Sequence, residues 1–188
     1  MLDAVSQFRE YMRLQRKRES DGLTVMELER WNSLKCSLNR RFQPDVSEPD
    51  ADRRESVRLP SRIRLEYESY GELAPCLMTS MSRGGVFVAA PTPLPIGTKL
   101  TLRIDIQERD GAVEVPGEVV SHNLAADLKS EERGMGVRFG ALSDEQQRAV
   151  DEIYRRAART ALEAEAKQQA QSVAEDGAGD GDDGPDEA

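Results

Sequence analysis

Between residues 53 and 142 apolar and polar side chains alternate with a period of two. Ile63, Leu65 and Tyr67 are interleaved with Arg62, Arg64, Glu66 and Glu68, and Leu100, Leu102, Ile104 and Ile106 with Thr101, Arg103, Asp105 and Gln107. Successive side chains of a strand point to opposite faces, so this pattern predicts half-buried strands with Leu100, Leu102, Ile104 and Ile106 turned inward. Val113, Val115 and Val119 continue the theme. Turn signals separate the runs: Tyr70-Gly71, Arg83-Gly84-Gly85, Pro91 through Pro95 with Ile96-Gly97, and Arg109-Asp110-Gly111, the last predicting a hairpin. About six short strands, with no helix long enough for a parallel crossover between them, predict a mainly β fold: a closed, six-stranded antiparallel barrel.

On either side the period changes to that of a helix. Leu2, Val5, Phe8 and Met12, then Val25, Leu28, Trp31, Leu34 and Leu38, recur three or four apart, which predicts a two-helix arm over residues 1–42 broken at Asp21-Gly22. Thr24-x-x-Glu27 is a capping box that starts the second helix. Phe8, Met12, Leu28 and Trp31 are expected to form the contact between the two helices. Helices this short do not fold alone, so they are expected to dock on the neighbouring domain, on each other or on another subunit. Residues 43–52, QPDVSEPDAD, read as a linker. A second capping box, Ser143-x-x-Gln146, opens a C-terminal helix over residues 143–171, with Val150, Ile153, Tyr154, Ala157, Ala161 and Leu162 on its apolar side. Its first half is expected on the barrel; the alanine-rich second half offers only a weak seam for a coiled coil.

Composition narrows the function. Of 188 residues 38% are hydrophobic and 32% charged, which fits one compact core with solvated appendages. The net charge of −9 argues against a nucleic-acid polymer as partner. Seven of those charges lie in residues 172–188, an acidic tail rich in Gly and Asp that is expected to be disordered, so the remainder is nearly balanced and can host a local basic site. The chain has no apolar run suited to membrane insertion and no signal-peptide pattern, and it reads as cytoplasmic. Cys36 and Cys76 are far apart and have no histidine near them, so neither a metal site nor a disulfide framework is indicated.

No catalytic machinery is visible. His122 is the sole histidine, with no nucleophile beside it in sequence, and Glu131-Glu132 lie in a polar stretch that would leave their titration ordinary. Gly134-Met135-Gly136 lacks the rest of a dinucleotide fingerprint. More informative is Arg53-Arg54-Glu55-Ser56-Val57-Arg58 before the first strand, set against Ser80-Met81-Ser82-Arg83-Gly84-Gly85 after the second. Guanidinium groups are planar forks that grip phosphate oxygens in pairs and reach guanine edges. A serine with a Gly-Gly turn supplies a short hydroxyl and a backbone that a ligand can approach. On chemistry alone these are either a site for an anionic ligand or solvated charges beside a strand-connecting turn.

The order of Arg54-x-x-x-Arg58, the strand from Arg62 to Glu68, Ser82-x-x-Gly85, Pro95-Ile96-Gly97 and Gly134-Met135-Gly136-Val137-Arg138-Phe139 resembles a PilZ domain over about residues 53–155. The resemblance implies a six-stranded barrel that binds cyclic di-GMP, often as an intercalated dimer, and carries no other cofactor. It also implies a receptor or adaptor that couples the messenger to a protein partner, in bacterial motility or envelope regulation, with self-association through the helices as a further option. By the same resemblance Arg54 and Arg58 clamp phosphate and guanine, Arg53 supplements them, and Ser82, Gly84 and Gly85 belong to the second motif. Ser80 departs from the pattern, standing where the family carries Asp or Asn. Its hydroxyl makes fewer hydrogen bonds to a guanine edge, which lowers affinity by about 1–3 kcal/mol. Two expectations follow, a messenger receptor and an adaptor that has kept the fold and lost the ligand.

Overall fold

The strands close as the alternation requires. In the computed structural model, which describes residues 3–44, 49, 53–69, 71–105, 112–124 and 132–176, six strands follow one another: β1 (Leu59–Ser69), β2 (Glu72–Ser82), β3 (Gly85–Ala89), β4 (Lys99–Asp105), β5 (Ala112–Asn123) and β6 (Gly134–Phe139). They pair antiparallel in the closed order β1-β2-β3-β6-β5-β4. Leu65, Met78, Met81, Val88, Leu102, Ile104, Val115, Val119, Met135 and Val137 fill the interior. Leu100, Leu102 and Ile104 are buried, which fixes the register of β4; Ile106 and the Arg109-Asp110-Gly111 turn lie outside the described residues. Gly71 and Gly97 turn the chain at φ +80° and +87°, where a side chain would be strained. The register shifts at three places, between Pro60 and Ile63, Met78 and Ser80, and Val119 and Ser121. Ser80 and Ser82 belong to the end of β2 rather than following it.

The helices are α1 (Ala4–Ser20), α2 (Val25–Phe42) and α3 (Asp144–Asp176). Asp3 caps α1 by accepting from the Ser6 N–H at 2.8 Å, and that bond lowers its carboxyl pKa. The Thr24–Glu27 capping box is formed in both directions, and Glu27 also pairs with Lys17 of α1 at 2.6 Å. Arg30 of α2 clasps Glu10 of α1 with two hydrogen bonds, and the Trp31 indole donates to Gln15 at 2.8 Å.

The arm's contact face differs from the expected one. Its buried residues are Ala4, Phe8, Tyr11, Leu14 and Gln15 on α1 and Trp31, Leu34, Lys35, Leu38 and Asn39 on α2. Phe8 and Trp31 are in place and Met12 packs on the cluster, but Val5, Val25 and Leu28 are exposed. Opposite the start of α2 lies the polar end of α1, where Lys17 meets Glu27, so Val25 and Leu28 find no apolar surface there. The stripe of α1 is set instead by what lies behind it: Phe8 packs against Tyr154 of α3 with ring centroids 6.3 Å apart. The arm therefore docks within its own chain.

Helix α3 starts at its capping box, with Gln146 N–H donating to Ser143 Oγ at 3.2 Å and Ser143 N–H to Gln146 Oε1 at 2.9 Å. Ala149, Val150, Ile153, Tyr154, Ala157, Ala158 and Ala161 are buried and Leu162 packs at their edge. Farther along, Glu165 is ion-paired with Arg41 of α2. The helix runs five residues past the expected end at Gln171, through Ser172 to Asp176, a stretch without Gly or Pro to break it. Residues 172–176 of the expected tail are thus helical, and 177–188 lie outside the described residues.

Candidate functional site

A cleft of about 220 Å³ runs where the β2–β3 turn faces the ends of β5 and β6. It is lined by Arg58, Ser80, Ser82, Gly84 and Gly85, which the sequence offered as ligand contacts, and by Phe87, Val120, Ser121, Gly136 and Arg138, to which it gave no such role. The pairing explains the convergence. Ser80 is opposite Phe87 on β3, Phe87 opposite Gly136 on β6, and Gly136 opposite Ser121 on β5. A half-buried aromatic ring is thereby flanked by small residues in one row across four strands, which leaves room beside it for a planar group. The volume falls below that of a pocket enclosing a whole ligand, so a dinucleotide here would be held on one face.

The polar groups of the cleft are held from behind. Ser82 Oγ donates to Gly85 O at 3.2 Å, closing the turn. Gly85 is required by the fold: a Cβ on it would stand 2.3 Å from the Val137 carbonyl oxygen, whereas a Cβ on Gly84 would meet nothing within 4 Å. Between them and Ser82, Arg83 turns away from the cleft. Its guanidinium binds both oxygens of Asp151 on α3, at 2.9 and 3.2 Å, and pairs with Glu19 of α1. These carboxylates hold its pKa up against the burial that would lower it.

The first motif is split. Val57 is wholly buried. Its N–H donates to the Tyr11 hydroxyl at 3.2 Å and its carbonyl accepts from the Tyr154 hydroxyl at 3.0 Å. The next N–H, that of Arg58, donates to Asn39 Oδ1 at 2.9 Å. Thus three helices fix the backbone from which the Arg58 side chain enters the cleft. The Arg58 side chain is exposed at the rim of the cleft; the protein on its inner side desolvates it in part and lowers its pKa, and no carboxylate among the described residues offsets the effect. Arg54 does not line the cleft: it donates to Gln43 Oε1 at 2.6 Å, joining the two ends of the linker. Arg53 is exposed and also outside the cleft. Arg138, which sequence reasoning left without a role, stands in the cleft with a 3.3 Å contact to Glu118.

A larger concavity, about 1140 Å³, lies over Arg62, Arg64, Glu66, Pro75, Leu77 and Arg103. It has neither the hydroxyls nor the glycine turn of the smaller cleft, and Arg103 there faces Glu114 at 3.5 Å. Cys36 and Cys76 are free, and burial pushes the Cys76 thiol up to about 12. His122 makes a 2.7 Å contact with the Leu94 carbonyl. The described residues include no metal-ligating cluster and no helix long and apolar enough to cross a membrane.

Comparison with known proteins joins the barrel to a family. The family model described as PilZ domain matches residues 52–156, more than half of the chain. The chain belongs to the PilZ domain family. A search of the curated proteins found no match. Among solved structures, the PilZ domain of Escherichia coli YcgR with c-di-GMP is 16% identical with a TM-score of 0.44; the alignment covers 63% of this chain and 98% of that one. The Bacillus subtilis inhibitor of motility is 23% identical with a TM-score of 0.40, over 63% of this chain and 52% of the other. The Borreliella burgdorferi PlzA protein in complex with c-di-GMP is 14% identical with a TM-score of 0.38, over 55% and 42%. This chain thus spans about half of the length of the latter two. In the PilZ region both sequence motifs flank β1 and β2, and the barrel closure brings Arg58 of the first to Ser80, Ser82, Gly84 and Gly85 of the second.

Proposed function

We propose that this PilZ chain is a receptor that binds cyclic di-GMP in the Arg58 cleft and passes the event to a protein partner by binding, without catalysis. The observation that carries this reading is the Arg58 guanidinium, partly desolvated and facing hydroxyls and glycines with no carboxylate to neutralise it among the described residues. A phosphodiester supplies the missing charge, and the fork geometry of Arg58 and Arg138 suits its oxygens or a guanine edge. Phe87 offers a face for a base, and the Ser80 and Ser82 hydroxyls offer short hydrogen bonds at its rim. Arg54 joins only by giving up its hydrogen bond to Gln43 at the end of α2, and that exchange is the natural output of binding. A second reading, an adaptor that does not bind the nucleotide, is favoured by Ser80 in place of an acid or amide and by the engagement of Arg54 with Gln43.

Calorimetric titration with cyclic di-GMP separates the two. Replacing Arg58 or Arg54 by alanine should cost about 1.5–3 kcal/mol, roughly ten- to a hundredfold in affinity. Arg58→Lys should rescue in part, keeping the charge and losing the fork. Ser80→Asn should strengthen binding. Heat from Ser80→Asn with none from the wild type would establish the adaptor reading, and no heat from either would remove Arg54 and Arg58 as a clamp.

A further inference from the structure

Both walls of the cleft are fastened to the same two helices. On one side Val57 hangs between the hydroxyls of Tyr11 on α1 and Tyr154 on α3. On the other, Arg83 sits in the turn between Ser82 and Gly84 and is ion-paired with Glu19 on α1 and Asp151 on α3. None of Tyr11, Glu19, Asp151 and Tyr154 lines the cleft. Both tyrosines are fully buried, in an aromatic cluster with Phe8 and Trp31, and the Arg83 side chain is 14% exposed. Such groups hold one arrangement, because a buried N–H or carbonyl that loses its partner is costly.

We propose that α1, with α3, is a positioning part of the nucleotide site. Tyr11 and Glu19 set the distance between Arg58 and the Ser82–Gly85 turn, so that docking of the N-terminal arm and occupancy of the cleft favour one another. The inference rests on the receptor reading above and adds to it the arm as the regulated element. Anything that lifts α1 from the barrel lowers affinity for the messenger. By linkage the messenger holds α1 down by the same factor, so a partner that needs the buried face of α1, with Phe8, Tyr11 and Leu14, competes with ligand.

The test uses the full chain and two replacements that leave the cleft lining intact, Tyr11→Phe and Glu19→Gln. Each removes one tether. Each is expected to melt cooperatively and to bind cyclic di-GMP more weakly, by about tenfold for Tyr11→Phe, which strands a buried N–H, and less for Glu19→Gln. Glu10→Gln weakens the exposed α1–α2 pair with Arg30 and is the control: it alters a contact within the arm, leaves both tethers and the docked face of α1 in place, and should leave affinity unchanged. In the wild type, ligand should slow amide exchange along α1. Wild-type affinity in both tether variants, or equal loss in the Glu10→Gln control, overturns the proposal. Should the wild type not bind at all, the receptor reading fails, and exchange in the unliganded proteins still decides the positioning role. Faster exchange at the Arg58 amide in Tyr11→Phe and at the Gly84 and Gly85 amides in Glu19→Gln, with Leu100–Ile104 unchanged, supports it. Unchanged exchange at those amides overturns it.

Discussion

Gly84 and Gly85 are adjacent, sit in one turn and line one cleft, yet the structure gives them opposite sensitivities to an added methyl group. At position 85 the new Cβ would lie 2.3 Å from the Val137 carbonyl oxygen and 3.2 Å from Arg138 Cα. These are backbone atoms of the neighbouring strand β6, which pairs with β3 from Gly85↔Arg138 to Ala89↔Gly134, so relief requires prising two strands apart. Overfilling a site usually costs about 1–3 kcal/mol where side chains can shift, and with only backbone to move we expect Gly85→Ala at about 3 kcal/mol. For a chain of this size each kcal/mol lowers the melting temperature by about 2–4 °C, so the fall should be about 6–12 °C. At position 84 nothing lies within 4 Å, so Gly84→Ala should change stability by no more than about 0.5 kcal/mol. Thermal melting of the two variants, without ligand, reads the difference directly. Gly85→Ala melting within about 2 °C of the wild type would refute the close approach of β3 to β6 and reopen Gly85 as a glycine kept for ligand access alone.

Other outcomes follow from the arm and its tethers. Burial raises the Tyr11 hydroxyl pKa from 10 to about 12 and raises that of Tyr154 as well. The folded state therefore keeps these phenols neutral where the unfolded chain ionises them. The contribution of Tyr11 is complete below about pH 10 and is lost as pH rises through about 12, and that of Tyr154 has the same sign. Denaturant midpoints measured from pH 8 to 12 should fall over that window, and less so in Tyr11→Phe. Trp31 is 3% exposed, so its emission should be that of a buried indole in the native protein; a water-exposed maximum would contradict the docked arm. Leu28 is 43% exposed, so Leu28→Ser should shift the melting temperature by at most a degree or two, whereas Leu38→Ser, at a wholly buried position, should abolish a cooperative melt or lower it steeply.

Where the pattern in sequence is local, it reads through to the fold. The inward face of Leu100, Leu102 and Ile104 follows from strand geometry alone, and Thr24-x-x-Glu27 and Ser143-x-x-Gln146 mark helix starts because caps involve residues three apart. The stripe of α1 was less legible. Val5 and Tyr11 are both apolar enough to be buried, and the choice falls to partners far along the chain, Val57 and Tyr154, that no helical period reveals. The cleft divides the same way. Arg58 and the Ser82–Gly85 turn could be read as motif residues, but Arg54 is drawn to Gln43 by the closure of a linker. Phe87 and Arg138 enter through the pairing of β3 with β6, which joins residues about 50 positions apart in sequence, and Ser121 through the pairing of β5 with β6. The signal available for Phe87 was its place two residues after Gly85, and Arg138 stood inside the matched run Gly134–Phe139 without a role of its own.

The contact of Phe8 with Tyr154 also bears on how the chain is made. Helix α1 finds its partner on α3, and Tyr154 stands 146 residues after Phe8 in the chain. At about 5–20 residues per second, roughly 7–30 seconds pass before Tyr154 is synthesised. Meanwhile α1 can pair only with α2, and the face carrying Phe8, Tyr11 and Leu14 stays partly uncovered. The nascent protein thus carries an apolar helical hairpin from the synthesis of α2 until that of α3, a natural target for chaperones, and completion of α3 is the event that seals it.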